Sequence, residues 1–320
     1  MPALKLILAV LLIYYVLATQ ASEAQIEQLA NLLRSPSVLV LAIATFSMQL
    51  LIGAQRLRIL LAPQDITLGY WMALRLTYIG AVFDVFMVTS VGGDAIKAVY
   101  LAREVPKNRR LEAVSVLVMD RLMGLLGLLT LVLLMSLLQI ETLYADPLIR
   151  PHLKWLVLVP GCLLVGTVML LSKSVYNWGI TQYFFKKAPG GRIAERGYGA
   201  LQLFGDHPKV LFNAWTLSLI VHIFGVVSGY VLMHGLGYKA GFGPFFVAWF
   251  ISNFICSFAP FGGIGFGQWC YNFIFLKIAN MEGGWVLASA VQVTSILSKS
   301  PGLLAWLVSR EQLNRKDSND

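Results

Sequence analysis

Residues 114–140 read VSVLVMDRLMGLLGLLTLVLLMSLLQI. Apart from the adjacent pair Asp120-Arg121 the stretch carries no charge, and as a helix it is long enough to cross about 30 Å of hydrocarbon. A soluble helix shows one apolar stripe, whereas this one is apolar nearly all round, which is the pattern of a membrane span. Similar low-charge stretches occupy residues 6–22, 38–54, 155–171 and 211–233. Hydrophobic residues make up 58% of the 320 residues and charged ones 13%, with a mean hydropathy of +0.72, too little polar surface to cover a soluble domain of this size. The short alternating segments of a membrane β-barrel are absent, so the sequence predicts an all-α integral membrane protein.

The net charge of +9 comes from Lys and Arg clustered between the apolar stretches, where it reports orientation and not nucleic-acid binding. Cys162, Cys256 and Cys270 are odd in number, lie in or beside apolar segments and lack metal-ligand spacing; no cofactor is expected. Residues 1–25 could pass for a secretory signal, but the uncharged run is longer than a usual signal core, and the reading keeps it as the first span.

Lys5 precedes that span, placing the amino terminus in the cytoplasm. Arg56 and Arg58 then mark one cytoplasmic flank, and Lys97, Arg103, Lys107, Arg109 and Arg110 mark another. The apolar segment between them, residues 68–91, cannot be a single crossing, because its flanks would then lie on opposite sides; a re-entrant hairpin closing on Gly92-Gly93 resolves the conflict. The next two spans are joined by a loop with Glu141 and Asp146. A basic connection follows, running from Lys173 to Lys209, in which Tyr183, Phe184 and Phe185 read as part of an interfacial amphipathic helix. Arg310, Arg315 and Lys316 place the carboxyl terminus inside, so residues 285–309 cross inward and residues 244–280 form a second hairpin, entered from the outer face. The expected plan is one transmembrane domain, residues 1–320, with about six spanning helices and two re-entrant hairpins in an inverted repeat: residues 4–140, then 155–309, then a cytoplasmic tail, 310–320.

Candidate site residues lie at the hairpins and inside the spans. Ser90, Gly92, Gly93, Asp94 and Lys97 form a glycine turn entering a helix whose free N–H groups and lysine suit an anion, with Asp94 read as the N-cap. Pro260, Gly262, Gly263, Gly265 and Gln268 form the second turn; no strand precedes it and the dinucleotide spacing fails, so it reads as a helix break facing a cavity. Asp120, Arg121, His222, His234 and Lys299 are ionisable groups at membrane depth, where a bare charge costs about 3 kcal/mol and needs a partner. Being adjacent on a helix, Asp120 and Arg121 point about 100° apart and are expected to pair with other groups. No hydrolytic motif is present, and enzymatic activity is not expected.

In their order these motifs resemble the lysylphosphatidylglycerol synthase transmembrane region, also called the flippase-like domain. Its first signature, Asn, then Leu-Pro-Ser, then Gly-Gly-Asp and a basic residue, is similar to Asp84, Val88-Thr89-Ser90, Gly92-Gly93-Asp94 and Lys97. Its Pro, Gly-Gly-hydrophobic-Gly and Glu look like Pro260, Gly262-Gly263-Ile264-Gly265 and Gln268, and its Asp-Arg pair followed by Gly looks like Asp120-Arg121 and Gly124. Asp84 stands where the family has Asn, Thr89 for Pro and Gln268 for Glu, so a mechanism using that Glu as a proton or cation site does not carry over. The resemblance implies a transporter that flips an anionic or sugar-phosphate-linked lipid between leaflets of the cytoplasmic (inner) membrane. The alternatives are a membrane-embedded lipid-modifying enzyme or accessory subunit of glycolipid or hopanoid synthesis, and a small-solute transporter. With the sequence ending at Asp320, aminoacylation of lipid is not expected.

Overall fold

A computed structural model describes residues 23–86, 92–145, 147, 150–170, 172, 177, 191–257 and 265–317. Among the described residues the secondary structure is all helical. Counted over these residues, the helices are α1 (Glu23–Leu33), α2 (Pro36–Leu61), α3 (Tyr70–Phe86), α4 (Gly92–Glu104), α5 (Arg110–Leu138), α6 (Ile140–Ala145), α7 (Leu153–Leu170), α8 (Gly191–Gln202), α9 (Pro208–Gly235), α10 (Phe242–Cys256), α11 (Phe266–Ala279), α12 (Gly284–Lys299) and α13 (Pro301–Asp317). The first expected span, Ser90, the turn Pro260, Gly262 and Gly263, and the aromatic run at 183–185 lie outside the described residues.

Among the described residues three segments are long and apolar enough to cross a bilayer: Pro36–Gln64, Lys107–Leu138 and Pro208–Gly235. They contain α2, α5 and α9, and the protein is an integral membrane protein built around them. Leu153–Met169 and Phe242–Cys256 are shorter apolar helices. Pro36 and Pro208 open their helices, where a missing N–H costs nothing.

Lipid is as apolar as leucine, so helices in a bilayer associate through close packing of small residues and through polar contacts. The pairing of α2 with α9 follows that rule. Thr45 and Ser228 share a 2.8 Å hydroxyl hydrogen bond, and the Ser228 hydroxyl also approaches the Ala42 carbonyl at 3.0 Å. Gly229 seats the Trp249 ring, which a Cβ there would overlap. Two of the apolar clusters among the described residues are large. One gathers Phe245, Trp249, Phe250, Phe275 and Trp285 of α10 to α12 with Leu128 and Val132 of α5. The other joins Leu57, Leu61, Leu76, Leu101 and Met119 of α2 to α5 with Phe204, just past α8.

Between α2 and α5 stands the helical pair α3 and α4, and between α9 and α12 the pair α10 and α11; the partners in each pair pack along one another. These four helices have 17, 13, 15 and 14 residues, so each spans only about 20–26 Å. A Cβ on Gly93 would lie 2.1 Å from the Gly80 carbonyl oxygen, so α3 and α4 meet backbone to backbone at this point.

Three sequence readings change. The expected single helix over residues 285–309 is two, α12 and α13, because Pro301 has no N–H and its ring crowds the preceding turn. Lys299, expected near mid-span, therefore ends α12. Beyond the break α13 packs on α3, where a Cβ on Gly302 would come within 2.3 Å of the Tyr78 carbonyl oxygen and where Phe83 and Trp306 meet edge to face. The expected tail begins as helix, since α13 continues to Asp317. Arg56, read as a flank, lies inside α2, leaving the exposed Arg58 to mark that end.

Candidate functional site

Four helices deliver charge to one place. From α2 comes Arg56, from α3 Asp84, from α4 Asp94 and Lys97 one turn apart, and from α5 Asp120 and Arg121. The Arg56 Nε–H donates to Asp120 Oδ1 at 2.7 Å, and its Nη1 donates to the Ser218 hydroxyl at 2.9 Å. Lys97 Nζ lies 3.9 Å from Asp120 Oδ2 and 3.8 Å from Asp94 Oδ1. Arg121 Nε binds Asp94, and its Nη2 lies 3.9 Å from Asp84 Oδ1. The result is an alternating chain, Arg56, Asp120, Lys97, Asp94, Arg121, Asp84, that closes three positive charges against three negative ones. Buried ions persist only when paired in this way.

The angular offset between Asp120 and Arg121 separates their surroundings. Asp120 turns inward to Arg56 and Lys97 and is buried, while the Arg121 side chain, 42% exposed, faces α3 and α4. Gly124, next on α5, leaves room for the Arg56 guanidinium, whose Nη1 would sit 3.3 Å from an added Cβ. His222 of α9 lies 3.0 Å from the Gly124 carbonyl through Nε2, which must donate there. A Cβ on Gly127 would overlap Ser218, so α9 also approaches α5 closely.

The N-cap reading of Asp94 is corrected. Asp94 sits in the first turn of α4 with its carboxylate on Lys97 and Arg121, and it is Asp84 Oδ1, from α3, that accepts the Gly93 N–H at 2.9 Å. One of the N–H groups assigned from sequence to an anion thus already holds the chain's own carboxylate. At the start of α11, Gly265 adopts φ +81° and its N–H donates to Gln268 Oε1 at 2.7 Å. Gln268, buried, therefore caps α11.

These charges line a cavity of about 650 Å³. Thr77, Gly80, the ion pairs and, at the end of α10, Ser257 line it. So do the apolar side chains of Leu50, Val118, Leu122, Leu125, Leu128 and Val221. Val118, Leu122, Leu125 and Leu128 recur at three- and four-residue spacing, one stripe of α5. The stripe runs from Val118, 48% exposed, to the buried Leu128, so the cavity is open at the Val118 and Arg121 end and closed deeper in. A second chamber of about 230 Å³ holds Gln49, Asn253, Ser295, Ser298 and Lys299, and shares Leu50 and His222 with the first.

The structure thus gathers Asp84, Asp94, Lys97, Asp120 and Arg121 in one cavity and puts Lys299 in its neighbour. Gly92 and Gly93 open α4 beside them, while Gly265 and Gln268 belong to the cap of α11. Arg56, Ser218 and Gln49 were missed. A basic residue near the end of an apolar run reads as a flank, and uncharged polar residues in spans carry no sequence signal of their own. Among the described residues no three His, Cys, Asp or Glu side chains gather where a metal could bind.

The family model for the lysylphosphatidylglycerol synthase TM region matches residues 3–297, nearly the whole chain, and the protein belongs to that family. No curated protein and no solved structure matches it.

Proposed function

We propose that this member of the family moves a lipid between leaflets, taking the head group into the cavity among α3, α4, α5 and α9 while the acyl chains stay in the bilayer. One observation carries the reading: charged and apolar side chains line the same cavity, and Val118 both lines it and is half-exposed on the surface of a membrane helix. A lipid is amphipathic in the same sense, and a sideways opening admits it without removing its chains from hydrocarbon. A water-filled solute path has no use for such an opening.

In this reading the head group is anionic or sugar-phosphate-linked. Arg121, at the mouth, is the first cation it meets, and a ligand phosphate replaces Asp94 or Asp84 on the guanidinium with little change in local charge. A long helix followed by a helical pair in α2 to α4 and again in α9 to α11, closed by the single helix α5 in the first case and by the broken α12 and α13 in the second, supports an inverted repeat, whose halves rock to expose the site alternately. Both termini then face the cytoplasm across the inner membrane. The protein itself performs no group transfer.

The test uses purified protein in vesicles carrying labelled lipid analogues in one leaflet, with native mass spectrometry of the lipid that co-purifies. Wild type should accelerate movement over protein-free vesicles, and Val118→Trp, which fills the mouth, should slow it about fivefold or more with an unchanged melting temperature, a loss of roughly 1 kcal/mol of transition-state stabilisation. Movement no faster than in protein-free vesicles, or a Val118→Trp variant as fast as wild type, overturns the reading.

A further inference from the structure

We infer that the smaller chamber is an oxyanion subsite, built to hold one singly charged group on Lys299 and Gln49. It rests on the lipid-transport reading only for the source of the ligand.

The chamber lies where α2, α9, α10 and α12 meet, and it differs in kind from its larger neighbour. In the large cavity every cation already touches a carboxylate. Lys299 does not: among the described residues no carboxylate oxygen lies within 4 Å of its Nζ and no acceptor receives its protons. Asp84 is the acid whose field reaches it, and that carboxylate is already engaged by Arg121 and the Gly93 N–H. Beside Lys299 in the same chamber, Gln49 Nε2 is buried without a hydrogen-bond partner among the described residues. A cation and an amide donor, both unanswered and facing one polar space, call for an acceptor that carries charge.

The remaining wall supplies the opposite polarity. Asn253 spends its Nδ2 on the Trp249 carbonyl at 2.8 Å and the Tyr271 hydroxyl at 2.9 Å, which leaves Oδ1 as its free hydrogen-bonding atom. The Ser298 hydroxyl donates to the Ser295 carbonyl at 2.8 Å and retains its lone pairs. These acceptors suit hydroxyl groups carried next to the oxyanion.

Charge counting limits the ligand further. The two chambers together hold Arg56, Lys97, Arg121 and Lys299 against Asp84, Asp94 and Asp120, a surplus of one positive charge. Residues 87–91 and 258–264 include no Asp, Glu, Lys, Arg or His, so they do not alter the balance. One negative charge closes it; a diphosphate would overshoot. The volume, about 230 Å³ or some seven waters' worth of liquid, takes a phosphate and the first atoms attached to it, with no room for an acyl chain.

Binding is measured on the full-length protein in detergent, by melting-temperature shift and by titration. The probes are short-chain phosphatidylglycerol, short-chain phosphatidylcholine and inorganic phosphate. The variants are Lys299→Met and Gln49→Leu, with Lys107→Gln as a cation change outside both chambers. Removing an unpaired charge from a low-dielectric site does not destabilise a fold, so Lys299→Met should remain well folded. The expected result is that wild type prefers phosphatidylglycerol to phosphatidylcholine, that Lys299→Met weakens it about tenfold or more, that Gln49→Leu weakens it several-fold, and that Lys107→Gln binds as wild type does. Equal affinity for the two lipids, or undiminished phosphatidylglycerol binding in Lys299→Met, overturns the subsite. The transport reading fails separately. If inorganic phosphate binds in a Lys299-dependent way while no lipid does, the subsite stands and its ligand is a free anion. If Lys299→Met moves and binds lipid as wild type does, transport stands and the subsite falls.

Discussion

Asp84 accepts the Gly93 N–H at 2.9 Å while its same Oδ1 lies 3.9 Å from Arg121 Nη2, so one carboxylate oxygen caps a helix and also anchors a cation at the cavity mouth. The two duties are separable. Asp84→Asn keeps an oxygen for the Gly93 N–H and removes the charge, so its melting temperature should stay near that of wild type. Anionic-lipid affinity should rise several-fold, since removing a like charge near the ligand is worth about 1 kcal/mol at this depth. Asp84→Leu loses both duties and should melt lower. Thermal melts with lipid titration of the two variants check this, and an Asn variant that binds more weakly would mean that Asp84 contacts a cationic part of the ligand.

Among the described residues Asp120 is the acid that Arg56 pairs with, and it also lies 3.9 Å from Lys97 Nζ. Asp120→Ala takes the carboxylate from Arg56 and leaves Lys97 with Asp94 alone, and should cost about 3–5 kcal/mol. Arg56→Met combined with Asp120→Leu removes both members of the closer pair and should recover much of that loss. A double-mutant cycle read by thermal melts measures the coupling; additive losses would show that the pair contributes no net stabilisation.

Gly93→Ala should prevent α3 and α4 from closing, because the obstruction at 2.1 Å is backbone and cannot rotate away. Gly69→Ala, where an added Cβ meets nothing within 4 Å, is the matched control. Folded yield by size-exclusion chromatography should collapse for the first and hold for the second. Comparable yields would mean that the hairpin tolerates a wider separation.

The pair α3 and α4 should enter and leave on one face of the membrane. On a cysteine-free background, single cysteines at Arg58 and Lys107 should then label from the same side with a membrane-impermeant reagent. Labelling from opposite sides would make the segment between them an odd number of crossings and remove the basis for an inverted repeat.

Which of these relationships can be read from the chain alone depends on how far the interaction reaches. Hydropathy is a property of a local window, so residues 114–140 announce a bilayer helix without knowledge of their neighbours, and Gly92-Gly93 between apolar runs announces a helical turn. The order of the Gly-Gly-Asp, Asp-Arg and Gly-Gly-Ile-Gly motifs likewise needs no tertiary information, and it led to the family. Pairing is different. Arg56 meets Asp120 across 64 positions of sequence, and Arg56 meets Ser218 across 162. In water the polar face of a helix shows which way it points, but lipid and bundle interior are both apolar, so the composition of α2 or α9 does not reveal its rotation. Close approaches such as those at Gly93, Gly127 and Gly229, together with the Thr45–Ser228 hydrogen bond, set that rotation and register. They determine that Lys97 and Arg121 are answered by the chain's own carboxylates, and that Lys299, just before Pro301, faces a separate chamber without one.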